Sequence, residues 1–428
     1  MQAQAATYQS ESLLFSTLLQ LAVIVVVARL ANVGLRRLGQ PGAVGEILAG
    51  LLLGPSLLGY LLPNVSEHLF AKAVDIPVGI ISQIGLILLM FQIGSDFEFG
   101  HLAQKRNRSA VTSIAAASIA APLLLGGLVG WLSAPVLAPH VDRITYCSFL
   151  AVAMAITAVP TLGRILRELD LTRTHLGVVT ITAAAINDVA GWILLAIISA
   201  AATSGLSFWA TLAQFAGIVT FGLLLWWGGR PAADYLLRHQ PVADGNVPPV
   251  LMSIVLSLLF FCAMCTYALG IFAIFGGFAA GLLFHENRAF VEAWRRQVGQ
   301  FVLVFFLPIF FTYSGLRTNV LGLATFLDWE WCMIILSVAC VSKIVPVYFA
   351  ARHARLLHSD ALSCAVLMNT RALMELIVLN VGYELGYIPQ SVFTMMVLMA
   401  ITSTFMTVPL IRAIYRRSGQ LIPRGIEA

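Results

Sequence analysis

Charge is scarce in this sequence. Only 11% of its 428 residues are Asp, Glu, Lys or Arg, against about 25% in an ordinary soluble domain. The shortage excludes a soluble globular fold. With 59% hydrophobic residues and a mean hydropathy of +0.90, most of the chain must face lipid or other lipid-embedded helices. No Lys or Arg precedes Arg29. The positive n-region of a secretory signal peptide is therefore lacking, and the first apolar run is expected to stay as a spanning helix. The six cysteines, Cys147, Cys262, Cys265, Cys332, Cys340 and Cys364, lie in or beside apolar runs. Cys262 and Cys265 form a CxxC without a second Cys or His cluster, which reads as buried thiols rather than a metal or redox site. An intramembrane enzyme is disfavoured as well. There is no second clear aspartate at depth and no Gly-x-Ser-x-Gly-like site with a membrane histidine. The chain reads as non-enzymatic, with no cofactor and no resident metal.

What the sequence has is apolar runs of spanning length. They fall at about 12–35, 42–54, 76–95, 109–132, 144–167, 176–202, 208–229, 249–267, 270–285, 296–316, 329–351, 360–382 and 390–414, which predicts an all-α integral membrane protein of about thirteen transmembrane helices. Alternate loops and the C-terminal tail hold 20 of the 25 Lys and Arg residues, and the opposite loops hold three, Lys72, Arg143 and Arg317. By the positive-inside rule the rich side is cytoplasmic, so the N-terminus is expected outside and the C-terminus in the cytoplasm. The net charge of +5 is thereby explained by topology, and a nucleic-acid partner is not expected; membrane lipid is.

The remaining two basic residues, Lys343 and Arg371, fall inside spans, as do Asp188, Glu375 and, near a span edge, Glu46. An ionisable group at depth costs roughly 2.5–3.5 kcal/mol on insertion scales and is a functional candidate by default. Arg371 and Glu375 are four apart and can meet on one helix face as an internal ion pair. Glu46 reads as a solvated or capping group, and Asp96 and Glu98 as interfacial. Asp188, in ITAAAINDVAGWILLAI (181–197), and Lys343 have no partner on their own helices. They pair with each other across helices, bind something, or exchange protons.

Two spans carry helix-breaking sites. AITAVPTLG (155–163) puts Thr157 and Pro160 in the middle of span five, where proline removes a backbone donor. MNTRALMEL (368–376) puts Asn369, Thr370 and Arg371 in the middle of span twelve. Non-helical backbone at depth is tolerated only in a protein interior or at a cavity. Paired discontinuities in two halves point to a transporter site. If spans one to six (about 12–202) and eight to thirteen (about 249–414) are repeats joined by a linker helix at 208–229, spans five and twelve correspond. An odd number of spans separates them, so the repeats are expected to be inverted.

These residues resemble the monovalent cation:proton antiporter-2 family of the sodium/proton exchanger superfamily. The resemblance runs through GQPGAVGEILAGLLLGPSLLG (39–59), TAVP (157–160), AAAINDVAGW (183–192), FFLPIFFTYSGL (305–316), the lone Lys343 and NTRALMELIVLNVG (369–382), in that order over nearly the whole of residues 1–428. It implies the sodium/proton antiporter fold, with two crossed broken helices and a core of spans 4–6 and 11–13 moving against a dimerisation domain of spans 1–3 and 8–10. It implies a homodimer in a plasma membrane, here a bacterial inner membrane, exchanging Na+ or K+ for H+. The essential carboxylate falls on Asp188, and Asn187 and Thr157 are expected to complete the cation- and proton-binding site. The membrane lysine falls on Lys343, the crossing residues on Thr157 and Pro160, and the polar residues of the second broken helix on Thr370, Arg371 and Glu375. With the sequence ending at Ala428, control through a cytosolic nucleotide-binding domain like that of the glutathione-gated relatives is not expected.

Two departures bear on mechanism. Many relatives carry two adjacent aspartates where this chain has Asn187 and Asp188, and Asn–Asp is linked to electroneutral exchange. Electroneutral relatives often have Arg where this chain has Lys343, so the two positions point different ways on stoichiometry. Ala372 stands where glycine is common. A carboxylate that holds one cation or one proton, never both, gives exchange by competition. The alternative reading is a potassium efflux pathway or channel-like cation transporter without obligatory proton coupling.

Overall fold

A computed structural model describes residues 2–418 apart from 39, 41, 71–74, 97–107, 170, 172–173, 204–207, 243–244 and 372. Lys72, Glu98, Lys105, Arg106, Arg173, Ala372 and Arg424 lie outside the described residues. Every element among the described residues is a helix. Among the described residues ten helices are long and apolar enough to cross a membrane, so this is an all-α integral membrane protein, as composition requires. Of the thirteen expected spans, 144–167, 208–229 and 270–285 are not among the ten. The first is interrupted in the middle. The second is 17 residues of α-helix continued by a π-helical turn at Leu225–Gly229. The third is a helix of 10 residues.

In chain order the main helices are α1 (Gln2–Arg37), α2 (Gly42–Leu53), α3 (Asp75–Ser95), α4 (Arg108–Leu137), α5 (Arg143–Ala155), α6 (Val159–Glu168) and α7 (His175–Thr203). They continue as α8 (Phe208–Leu224), α9 (Pro249–Ala268), α10 (Ala273–Leu282), α11 (Leu307–Leu316), α12 (Phe326–His353), α13 (His358–Met368), α14 (Leu373–Glu384) and α15 (Gln390–Arg417).

The chain forms two compact units. One comprises Met1–Val27, Leu62–Glu98 and Ala196–Tyr313. Its centre is a backbone-to-backbone contact of α3 with α10, made possible by small residues. A Cβ on Gly281 would stand 2.1 Å from the Phe91 carbonyl oxygen, and one on Gly94 would stand 2.3 Å from that of Phe278. The Phe91 ring packs on Trp294 at 4.5 Å between centroids, and Asp96, at the end of α3, pairs with Arg295 at 2.7 Å.

The other unit comprises Ala28–Leu61, Phe99–Leu195 and Ser314–Ala428. It holds both interrupted helices, and an 18-residue stretch within His358–Glu384 is 94% buried, which makes it a core element rather than a lipid-facing one. Ile114, Leu166, Val179, Met368 and Ile411 pack together in its interior. The resemblance places span two with spans one and three, but α2 groups in this unit. The reason is close backbone approach. A Cβ on Gly45 would stand 2.7 Å from the Ala31 carbonyl oxygen, and one on Gly54 would stand 2.7 Å from that of Gly315. The same tightness corrects the reading of Glu46. Its carboxylate is buried, and Oε1 accepts from Asn32 Nδ2 at 2.5 Å, so it is neither solvated nor a cap.

Candidate ion-binding site

The first interruption begins where α5 ends. Ile156 is extended, with φ −72° and ψ 144°, and residues 156–158 are not helical. The helix restarts at Val159, so Pro160 is the second residue of α6. A proline there loses nothing, because the first-turn N–H groups have no partner within the helix. The proline thus marks the restart, and the break lies just before it.

The second interruption has no proline or described glycine. Helix α13 ends at Met368, Asn369 caps it with φ −82° and ψ 4°, and helix resumes at Leu373. What holds it open is the first break. Thr157 Oγ1 donates to the Met368 carbonyl at 3.0 Å, and the Ala158 N–H donates to the Thr370 carbonyl at 3.1 Å. The two interruptions supply each other with the partners that a continuous helix would have supplied internally, as buried backbone demands.

Asn187 stitches the first break from α7. Its Oδ1 accepts the Thr157 N–H at 2.9 Å. Its Nδ2 donates to the Ala155 carbonyl and to Ser118 Oγ, each at 3.0 Å, with the Ser118 carbonyl at 3.4 Å. One amide therefore satisfies the freed donor and the freed acceptor on either side of Ile156, and anchors both to α4. That pairing needs one donor and one acceptor group at the same position, which fixes the orientation of the amide. Lys343, fully buried on α12, donates from Nζ to the same Ala155 carbonyl.

Asp188 follows Asn187, about 100° further round the helix. It is 5% exposed, and its Oδ1 is buried with no hydrogen-bond partner among the described residues. Arg371 and Glu375 lie at the second break, 0% and 1% exposed. Their closest approach is 3.6 Å, beyond a good charge-assisted hydrogen bond. Among the described residues Asp188 and Lys343 do not form a salt bridge, and the Lys343 ammonium is directed to the Ala155 carbonyl. Arg371 spends its guanidinium on the Ala339 carbonyl at 3.1 Å and the Ala153 carbonyl at 3.4 Å. Since Arg371 precedes α14, the pair is not on one continuous helix face as the spacing suggested.

The structure therefore brings Thr157, Asn187, Asp188, Lys343, Thr370, Arg371 and Glu375 into one unit around one crossing. Sequence reading missed Ser118, Thr404 and the Ala155 and Met368 carbonyls. Thr404 had a signal. If the halves are inverted repeats, α15 corresponds to α7, and its buried Ser403, Thr404 and Thr407 are the polar counterpart of Asn187–Asp188. The carbonyls had none, since every residue carries one.

Two interrupted helices that complete each other inside a membrane protein, with a buried carboxylate beside them, define the class of ion-coupled secondary transporters. Residues 22–415 match the family described as "Sodium/hydrogen exchanger, transmembrane", and the chain belongs to that family, which is one of transporters and not of enzymes. It is 35% identical to the Na(+)/H(+) antiporter NhaS4 of Synechocystis sp. (strain ATCC 27184 / PCC 6803 / Kazusa), over 93% of this chain and 97% of that protein. It is 33% identical to Cation/H(+) antiporter 17 of Arabidopsis thaliana over 93% of this chain, and spans about half, 48%, of that relative. In fold it is similar to the solved sodium proton antiporter MjNhaP1 from Methanocaldococcus jannaschii, with a TM-score of 0.66 at 16% identity over 96% of this chain and 100% of that one.

Proposed function

We propose that this protein exchanges a monovalent cation, Na+ or K+, for a proton, and that Asp188 carries each in turn. The observation that carries the reading is the Asp188 carboxylate itself. It is buried in the middle of a spanning helix, with an oxygen that has no partner among the described residues, next to a backbone break whose freed groups are met by Asn187. Glu375 at the second break also lacks a hydrogen-bond partner among the described residues, but it has Arg371 at 3.6 Å; a carboxylate left open without such a cation is a ligand for something that comes and goes. Cation and proton compete for it, and a transition between access states allowed only when it is loaded yields exchange.

Asn187 and Thr157 serve this site by shape. Their polar groups are engaged in holding the break, which leaves Asp188 and nearby peptide oxygens to meet the ion. Lys343 is tied to the same break through Ala155 and serves as a charge-compensating or proton-linked group. The protein works as a homodimer in a plasma membrane, with its N-terminus outside and its C-terminus in the cytoplasm, in accord with the basic loops.

The test is proton flux in proteoliposomes with a panel of monovalent cations, wild type beside Asp188→Asn. The wild type dissipates an imposed pH gradient on cation addition, and the variant, recovered folded, does not. Full activity in Asp188→Asn would end the reading. Cation flux without any proton movement would favour a channel-like pathway.

A further inference from the structure

The two breaks are capped alike. At the first, the Thr157 N–H is taken by Asn187 Oδ1 at 2.9 Å. At the second, the Arg371 N–H is taken by Thr404 Oγ1 at 3.2 Å. In each case the cap comes from the next helix after its own break, α7 for the first and α15 for the second. Ser403 and Thr407 on α15 instead bond back into their own helix, at 3.1 Å to the Ala400 carbonyl and 3.0 Å to the Ser403 carbonyl, the common arrangement for helical hydroxyls. Thr404 is fully buried and turned to the break. Its volume alone could be filled by valine; its oxygen could not.

We propose that Thr404 is a positioning residue of the ion site, holding the second break in the geometry that the first break needs. Its line of action is a run of hydrogen bonds. Thr404 fixes the Arg371 amide. The neighbouring Thr370 carbonyl accepts the Ala158 N–H at 3.1 Å. Thr157, next to Ala158, ends on Asn187, beside Asp188. Thr404 also fixes the point from which the Arg371 side chain reaches the Ala339 and Ala153 carbonyls. Thr404 is not a ligand; it keeps the ligand geometry pre-formed, and loss of pre-organisation is read as weaker binding rather than slower turnover. The inference rests on the reading of Asp188 as the exchange site.

The experiment compares Thr404→Val, Thr404→Ser and Thr404→Ala with wild type, as full chain in proteoliposomes, using Na+ and K+ separately. Thr404→Val is expected to raise the apparent cation KM about tenfold, the scale of one lost buried hydrogen bond, with maximal rate within about twofold. Thr404→Ser, which keeps the hydroxyl, is expected to restore the wild-type KM. A KM unchanged in Thr404→Val, or raised equally in Thr404→Ser, overturns the proposal. Hydrogen exchange of peptides covering Arg371, measured on folded protein in detergent, gives a second readout independent of transport. The Arg371 amide exchanges faster in Thr404→Ala and Thr404→Val than in wild type and Thr404→Ser, and equal exchange in all four also overturns it. If wild type itself shows no cation-dependent proton flux, the Asp188 reading fails, while the exchange measurement still decides whether Thr404 holds the break.

Discussion

At the scale of single residues, the position of interest is Asn187 rather than its acidic neighbour. It sits where two adjacent acids would place a second charge, yet the two ends of its amide do opposite things. Oδ1 receives a backbone N–H, and Nδ2 gives to Ala155 and Ser118. Asn187→Asp would turn an acceptor toward the Ala155 carbonyl. We expect the variant to lose about 1–3 kcal/mol of stability, the range for a buried polar group left unsatisfied, seen as a lowered midpoint in thermal unfolding of detergent-solubilised protein. A variant as stable as wild type would show that the stitch is dispensable. The sequence made Asp188 legible, because a carboxylate in an apolar run has few explanations. It did not show that Asn187 faces the break, because a side chain's partners about 30 residues away leave no local trace.

At the scale of elements, each break had a different visibility. The first announces itself through Pro160, though the proline marks the restart and not the gap. The second has only Asn369–Thr370–Arg371, whose helix-breaking tendency is weak, and it stays open because the first break reaches across with Thr157 and Ala158. Short helices made this way depend on their ends. Helix α5, 13 residues long, begins on Asp142, whose carboxylate accepts from the Thr145 N–H at 2.8 Å and its hydroxyl at 2.7 Å. The Thr145 hydroxyl, and after it the Thr145 N–H, hold the Asp142 carboxyl below its ordinary value of 3.8. The folded-state value is the lower one, so the cap's pH-linked stabilisation is complete above the ordinary value and is lost as pH falls through the folded-state value. Asp142→Ala is expected to destabilise by about 1 kcal/mol at neutral pH, a difference that shrinks on acidification below 3.8. Thermal unfolding of both proteins across pH checks it, and a difference that grows in acid would contradict the sign.

At the scale of the whole molecule, the charges at the two breaks bear on stoichiometry. Asp188 and Glu375 carry formal negative charge and Lys343 and Arg371 formal positive charge, so these four groups balance when Asp188 is bare; Glu46 is buried separately, against Asn32. Adding one monovalent cation or one proton to Asp188 gives the same net charge, which makes one-for-one exchange electroneutral provided Lys343 keeps its proton throughout. Transport in liposomes clamped at different membrane potentials is therefore expected to be independent of voltage. A net ion gradient driven by potential alone would mean that Lys343 releases its proton in the cycle. The membrane class and most of the span positions were legible in hydropathy, which integrates over many residues. The grouping of α2 with the second unit was not, because it turns on glycine contacts between distant backbones.

The Ala155 carbonyl, met by both Asn187 and Lys343, carries a consequence for genetics. No codon change can delete a peptide oxygen. A complete mutational scan would return positions 187 and 343 as two separate sensitivities and would never name the atom between them. Replacing the Ala155–Ile156 amide by an ester, which weakens that oxygen as an acceptor and removes the Ile156 N–H donated to the Val152 carbonyl, is the chemical route to it.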